Sequence, residues 1–288
     1  MSNVVQFIHP PPEGITLEYL AAPLQKTLLQ PILTGALLLS ATRSPERAEK
    51  ALKAVLGDRI KLPILVKTLK LLVGLGVAQK LNSVLNRAVL NNFCRDTWDW
   101  SKEIILITGG SSGFGELMVR QFSKHKIKVV VLDLRPPATP FPDNVHYYTV
   151  NVTDSNAIDA VAQIVRDEVG DPTVLINNAG VITGKTILGG SMEGVRRTFE
   201  VNTIAHFPLV KAFVPAMVRN NHGHIVTLAS MASFATVASN VDYSCSKASA
   251  LSFHEGLAQE LRFRYNAWKV RATYVMLACF YHVYVSFF

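Results

Sequence analysis

Charge is scarce in this chain. Only 17% of its 288 residues are Asp, Glu, Lys or Arg, against roughly 25% in ordinary soluble domains, while 49% are apolar. A deficit of that kind points toward a membrane surface. Cysteine is rare as well: Cys94, Cys245 and Cys279 are too few and too far apart for a disulfide framework or a zinc site, and they suit a reducing, cytosol-facing setting. The basic residues are scattered, with no aromatic-rich RNA signature and no zinc-finger spacing, so the formal charge of +8 does not mark nucleic acid as a partner. No internal repeat is visible.

Within residues 1–100 no charge-free run reaches the ~20 residues that a spanning helix needs. Pro10, Pro11 and Pro12 exclude a helix there, because they lack amide donors and fix φ, so the extreme N-terminus is expected to be extended or disordered. It is not a secretory signal. The block from Leu28 to Ala41 is free of charge but contains Pro31 and Gly35, and the block from Leu62 to Ala78 is interrupted by Lys67 and Lys70. Arg43, Arg47, Lys50, Lys53, Arg59 and Lys61 lie between them. Residues 1–100 therefore read as a helical hydrophobic extension, an anchor lying in the membrane interface with basic side chains at the headgroups. A spanning hairpin and a helical extension packed on the remainder of the chain are the alternatives.

After Trp98 and Trp100 the texture changes. Ile104–Thr108, Val129–Asp133, Tyr147–Asn151, Val174–Asn177, His224–Ser230 and Val270–Met276 are short and rich in β-branched residues, and stretches of helical length separate them. Strands alternating with helices imply an α/β fold over residues 101–276: a Rossmann-like, doubly wound parallel sheet with helices on both faces.

The first of these strands runs into Gly109-Gly110-Ser111-Ser112-Gly113-Phe114-Gly115 and then a helical stretch. Gly109 permits the tight turn, Gly113 lets backbone approach a pyrophosphate, and Gly115 removes a side chain where helix and strand pack. The helix N-terminus offers free amides to that phosphate. Gly113 lies 20 residues before Asp133, at the end of the second strand. Asp133 can accept from ribose hydroxyls and disfavours a 2′-phosphate, so NAD is expected in preference to NADP; Arg135 is the contrary hint. Asn151 and Val152 fall where the adenine should lie. Asn177-Asn178-Ala179-Gly180 closes the fourth strand, its small residues leaving room for a cofactor and its amides bridging neighbouring strands.

Tyr243 and Lys247 stand one helical turn apart on one face. A tyrosine titrates near pH 10, and a neighbouring ammonium stabilises its phenolate, which suits it to move a proton while a nicotinamide moves hydride. Both are therefore expected against the cofactor as well as the substrate. Ser230 ends a strand at the carboxyl edge where open α/β sheets bind ligands, and its hydroxyl can bond a substrate oxygen. Asn202 sits mid-helix, where asparagine has poor propensity and needs a reason; a water linking it to Lys247 would supply one.

Taken together, TGGSSGFG, NNAG, Asn202, Ser230 and YSCSK resemble the short-chain dehydrogenase/reductase family over about 175 residues. The resemblance implies a Rossmann sheet, NAD(P) dependence and a catalytic set of Asn202, Ser230, Tyr243 and Lys247. The hydrophobic extension is similar to that of membrane- or lipid-droplet-associated retinol and hydroxysteroid dehydrogenases, which implies a lipophilic alcohol or carbonyl substrate and a cytosol-facing membrane such as the endoplasmic reticulum. In that family the helices carrying Asn202 and Tyr243 often pair subunits, so the resemblance admits a homodimer. One departure stands out. Leu277 and Ala278 occupy the family's Pro-Gly positions, and residues 277–288 read as an atypical, truncated tail without substrate lid or final strand. On that reading a silent dinucleotide-fold protein, acting by binding membrane or partner, is the alternative to an active enzyme.

Overall fold

The computed structural model describes residues 23, 27–57, 61–90, 92–94 and 96–277. The run Pro10–Pro12 and the expected tail beyond Leu277 lie outside the described residues. The chain forms two compact units, Met1–Leu90 and Asn91–Phe288.

In the first unit, α1 (Pro31–Arg43) and α2 (Pro45–Leu56) each begin on a proline, which suits a helix start because its missing amide would find no intrahelical partner. Gly57, at φ +65°, follows α2. Helix α3 spans Leu62–Leu90, continuing 12 residues past the expected apolar block to a length of ~44 Å. A Cβ on Gly76 would stand 2.5 Å from the Leu29 carbonyl oxygen, so the glycine is what lets α3 approach the start of α1. Most of α3 is exposed, including Leu71, Leu75, Leu81, Val84 and Val89, and by length and composition it is long and apolar enough to cross a membrane.

The second unit is a six-stranded parallel sheet, ordered β3-β2-β1-β4-β5-β6. Its strands are β1 (Ile104–Thr108), β2 (Lys128–Asp133), β3 (Val145–Thr149), β4 (Val174–Asn177), β5 (His224–Ser230) and β6 (Arg271–Leu277). The intervening helices are α4 (Gly113–Lys124), α5 (Ser155–Glu168), α6 (Met192–Phe199), α7 (His206–Asn220) and α8 (Val241–Phe263). Successive residues of a strand point to opposite faces. Accordingly Leu106 packs with Leu175, Ile225 and the inner faces of α5, α7 and α8, while Ile105 and Ile107 pack with Val131 and with Val119 of α4. Both faces are covered, which is why β1 carries no polar alternation and is buried throughout.

Three of the expected strands have the expected limits, β1, β4 and β5, and the others shift. β3 sits two residues earlier because its register runs from Val129–Val145 to Asp133–Thr149. Val150 N–H then donates to the Asp133 carbonyl, and Asn151 Oδ1 accepts from the Thr153 amide and hydroxyl, turning the chain away. β6 runs to Leu277 because it pairs with every residue of β5. At the start of β1, His222 Nδ1 lies 2.6 Å from Asp96 and its Nε2 3.2 Å from Glu103, with the Trp98 ring 4.5 Å from the imidazole. This clasp holds the segment that enters the sheet.

Candidate active site

The strand order reverses between β1 and β4, and open α/β sheets bind ligands at such a switch point. A cleft of about 760 Å³ lies there. The glycine turn contributes Gly109, Ser112, Gly113, Phe114 and Gly115; β2 contributes Asp133; Asn151 and Val152 follow β3; Ala179 and Gly180 follow β4.

Each glycine has a distinct geometric role. Gly109 has φ +65°, and a Cβ on it would stand 2.9 Å from the Ala179 Cα. A Cβ on Gly115 would stand 2.1 Å from the Gly109 carbonyl oxygen and 2.6 Å from Asn178 Nδ2. Gly113, at φ +55°, has nothing within 4 Å of a Cβ position, which leaves its backbone open to a phosphate. Ser112 precedes α4 without a side-chain cap bond, so the first amides of that helix remain available. Asp133 braces the turn: its Oδ2 accepts from Ser111 N–H at 2.9 Å and its Oδ1 from Arg135 N–H at 3.2 Å. Size, glycine backbone and helix N-terminus together fit a dinucleotide.

Within the glycine turn and the asparagine pair, two predicted residues stand off the lining. Ser111 is buried, its amide taken by Asp133 and its hydroxyl without a partner among the described residues. Asn177 is likewise buried, and neither side-chain polar atom has a partner there. The amide that bridges β1 and β4 belongs to Asn178, whose Nδ2 donates to the carbonyls of Thr108 (2.8 Å) and Gly109 (3.0 Å). Thr108 Oγ1 in turn accepts from the amides of Asn178 and Ala179. Of an adjacent asparagine pair, only the one past the strand end is free to turn back across the sheet, and sequence alone does not tell them apart.

Tyr243, Lys247, Asn202 and Ser230 are not part of that lining. Lys247 is buried; its Nζ donates to the Leu228 carbonyl at 2.7 Å and lies 5.8 Å from the centre of the Tyr243 ring. A Cβ on Gly180 would stand 3.4 Å from Asn202 Oδ1 and 3.7 Å from Lys247 Nζ, so both groups reach the cleft at Gly180. Burial pushes the Lys247 ammonium down to about 8.

Asn202 is not in ordinary helix. It occupies a π-helical turn, Glu200–Ile204, between α6 and α7, a distortion frequent at functional sites. Its Oδ1 accepts from Val181 N–H, and its Nδ2 donates to the Val181 carbonyl and to Ser246 Oγ. Ser246 Oγ donates to the Tyr243 carbonyl. Val181 and Ser246 are thus the direct partners of Asn202, and they tie the segment after β4 to α8. Ser230 Oγ accepts from Ala232 N–H at 3.1 Å, capping the short turn Met231–Ser233; its own proton remains to be donated.

Sequence reading missed several neighbours. Glu193, Arg196, Arg197 and Glu200 also line the cleft, and their i, i+4 spacing ahead of Asn202 was the available signal. His206, one turn beyond Asn202, is buried against Phe253, and burial first, then the Lys247 charge, then His254, holds it at about 3. It is a neutral imidazole at physiological pH.

A family model described as short chain dehydrogenase matches residues 103–281. Dehydrogenase RED2 of Cochliobolus heterostrophus is 44% identical over 207 residues, 71% of this chain and 78% of that protein. Epidermal retinol dehydrogenase 2 of Mus musculus is 36% identical over 71% of this chain and 68% of its own length. Estradiol 17-beta-dehydrogenase 11 of Homo sapiens is 39% identical over 55% of this chain, but the match spans only 56% of that protein. Among solved structures, a short-chain dehydrogenase from Streptomyces avermitilis superposes with a TM-score of 0.55 at 27% identity, over 60% of this chain and 64% of that one. The chain belongs to the short-chain dehydrogenase/reductase family of NAD(P)-dependent oxidoreductases.

Proposed function

We propose that residues 101–276 interconvert an alcohol and a carbonyl on a lipophilic substrate, with Tyr243 as the proton donor and acceptor. The observation that carries this reading is the meeting of Lys247 and Asn202 at Gly180, on the wall of a dinucleotide-sized cleft, with Tyr243 one helical turn from Lys247. When bound, NAD(P) would take up hydride from the carbinol carbon or supply it to the carbonyl carbon. In the oxidative direction Tyr243 takes the hydroxyl proton. The Lys247 ammonium, fixed by the Leu228 carbonyl, favours the phenolate that receives it. Ser230 donates its hydroxyl proton toward the substrate oxygen, and Asn202 holds the segment at Val181 that closes the site beside Lys247.

Asp133 supports NAD over NADP. Its carboxylate is fixed by two backbone amides at the end of β2, where it would meet the ribose hydroxyls and repel a 2′-phosphate. The substrate class is supported by the exposed apolar helices of the N-terminal extension, residues 1–100 in sequence terms, and by relatives whose names specify retinol and estradiol. The extension associates with a cytosol-facing membrane or lipid-droplet surface, where retinoids, steroids and long-chain alcohols dissolve. A homodimer would pair the helices bearing Asn202 and Tyr243.

The test supplies the full chain with lipid vesicles, NAD, and a panel of retinoid, steroid and long-chain primary and secondary alcohols. Multiple turnovers with at least one, and faster with NAD than with NADP, support the reading. A folded chain that binds NADH yet turns over none of the panel contradicts it.

A further inference from the structure

The cleft carries an arginine pair that the glycine turn and Tyr243 leave without a task. Arg196 and Arg197 line it from α6, and both are exposed. Glu193 and Glu200 stand four positions from Arg197 and Arg196 respectively, the spacing at which helical charges pair. Neither guanidinium forms an ion pair or hydrogen bond among the described residues, whereas Arg120 on α4 does close on Glu116 four positions away. Neither arginine is thus tied down to a carboxylate of the cleft wall.

We propose that Arg196 and Arg197 bind the pyrophosphate of the dinucleotide, a contact that rests on reading the cleft as the cofactor site. Placement decides which phosphate they meet. Asp133 and Arg135 mark one end of the cleft, beyond β2. Arg197 also lines a second pocket of about 330 Å³, bounded by Val181, Ile182 and Thr183 just past Gly180, at the end where Lys247 and Asn202 meet. Arg197 is thus shared between the cleft and the pocket past Gly180, with Arg196 beside it on α6, rather than standing with Asp133 and Arg135 at the ribose end. The charges agree: Asp133, Glu193 and Glu200 balance Arg135, Arg196 and Arg197 across the lining. Without the pair, three carboxylates would face Arg135 alone, and that excess negative charge would repel a pyrophosphate from the glycine turn's amides. Guanidinium forks match phosphate oxygens and hold them with charge-assisted bonds.

The experiment measures dissociation constants of NADH, NADPH, ADP-ribose and adenosine for the full chain and for Arg196→Gln/Arg197→Gln, at low and moderate salt. Both side chains are exposed, so the variant should keep the parent's melting temperature; the single variants R196Q and R197Q stand in, each with a smaller effect, if the double variant does not. The expected result is roughly a tenfold or greater weakening for NADH and ADP-ribose alike, a shallower salt dependence, and unchanged adenosine binding. Unchanged NADH and ADP-ribose binding would overturn the proposal, and a loss confined to NADPH would move the contact to a 2′-phosphate and overturn it too. If the parent chain binds neither NADH nor ADP-ribose, the dinucleotide reading fails first and the proposal with it.

Discussion

Gly115→Ala probes the joint on which the cleft is built. A Cβ there would stand 2.1 Å from the Gly109 carbonyl oxygen and 2.6 Å from Asn178 Nδ2, and neither neighbour is the free end of a flexible side chain. Nδ2 is held by two carbonyls, Thr108 and Gly109, so relief requires α4 to move off β1 or the Asn178 bridge to open. Overpacking of this kind costs about 3 kcal/mol, and each bridge bond lost adds about 1 kcal/mol. Alanine's better helix propensity returns about 1 kcal/mol, leaving a net destabilisation of about 3–4 kcal/mol. Trp98, Trp100 and Trp268 are the chain's three tryptophans, and all lie in the second unit. Their fluorescence in a urea titration therefore follows that unit alone. Gly256→Ala in α8, with nothing within 4 Å of its Cβ, is the control and should gain up to about 1 kcal/mol. A Gly115→Ala midpoint equal to the parent's would refute the packing account of the turn.

Other perturbations follow from the same contacts. Burial pulls the His222 ring down, but Asp96 and Glu103 outweigh it and raise its pKa above 6.5. The stabilisation from its charge is then complete below 6.5 and lost as pH rises through the raised value, so His222→Gln should destabilise the second unit more at acidic than at alkaline pH. An equal loss at both would exclude the charged clasp. Lys247 behaves in the opposite sense. Its native pKa lies at about 8 against 10.5 when unfolded, so between those values the unfolded chain holds the extra proton and stability rises with pH. Lys247→Met should abolish that rise in a urea series, and a rise that persists would assign it elsewhere. Asn178→Ala should weaken NADH binding at least as much as Asn177→Ala, because only Asn178 ties the turn to β4; the reverse order would misplace the bridge.

The sheet was legible because strands buried on both faces are written as unbroken β-branched runs, as IILIT and KVVVLD are. The edge strand β3 was not, since VHYYT is half-buried and its limits are set by register against β2 rather than by its own pattern. In the site, glycines with positive φ or forbidden Cβ positions announce themselves by spacing. Asn202 is legible by its poor helix propensity, but its π-helical setting and its bond to Val181, twenty-one residues away, are encoded by no local pattern. The arginine pair and His206 escaped notice for a related reason: they matter through what faces them across the fold, and helical spacing alone makes them ordinary.

Tyr243→Phe removes one oxygen from the centre of the account. With the parent chain and its best alcohol from the panel, formation of reduced nicotinamide is followed at saturating cofactor, with NADH affinity measured alongside. A fall in turnover of roughly 100-fold or more, the usual share of a positioned proton-transfer group, with NADH binding retained, is the predicted result. Turnover that survives the loss of that hydroxyl nearly undiminished would contradict Tyr243 as the proton carrier.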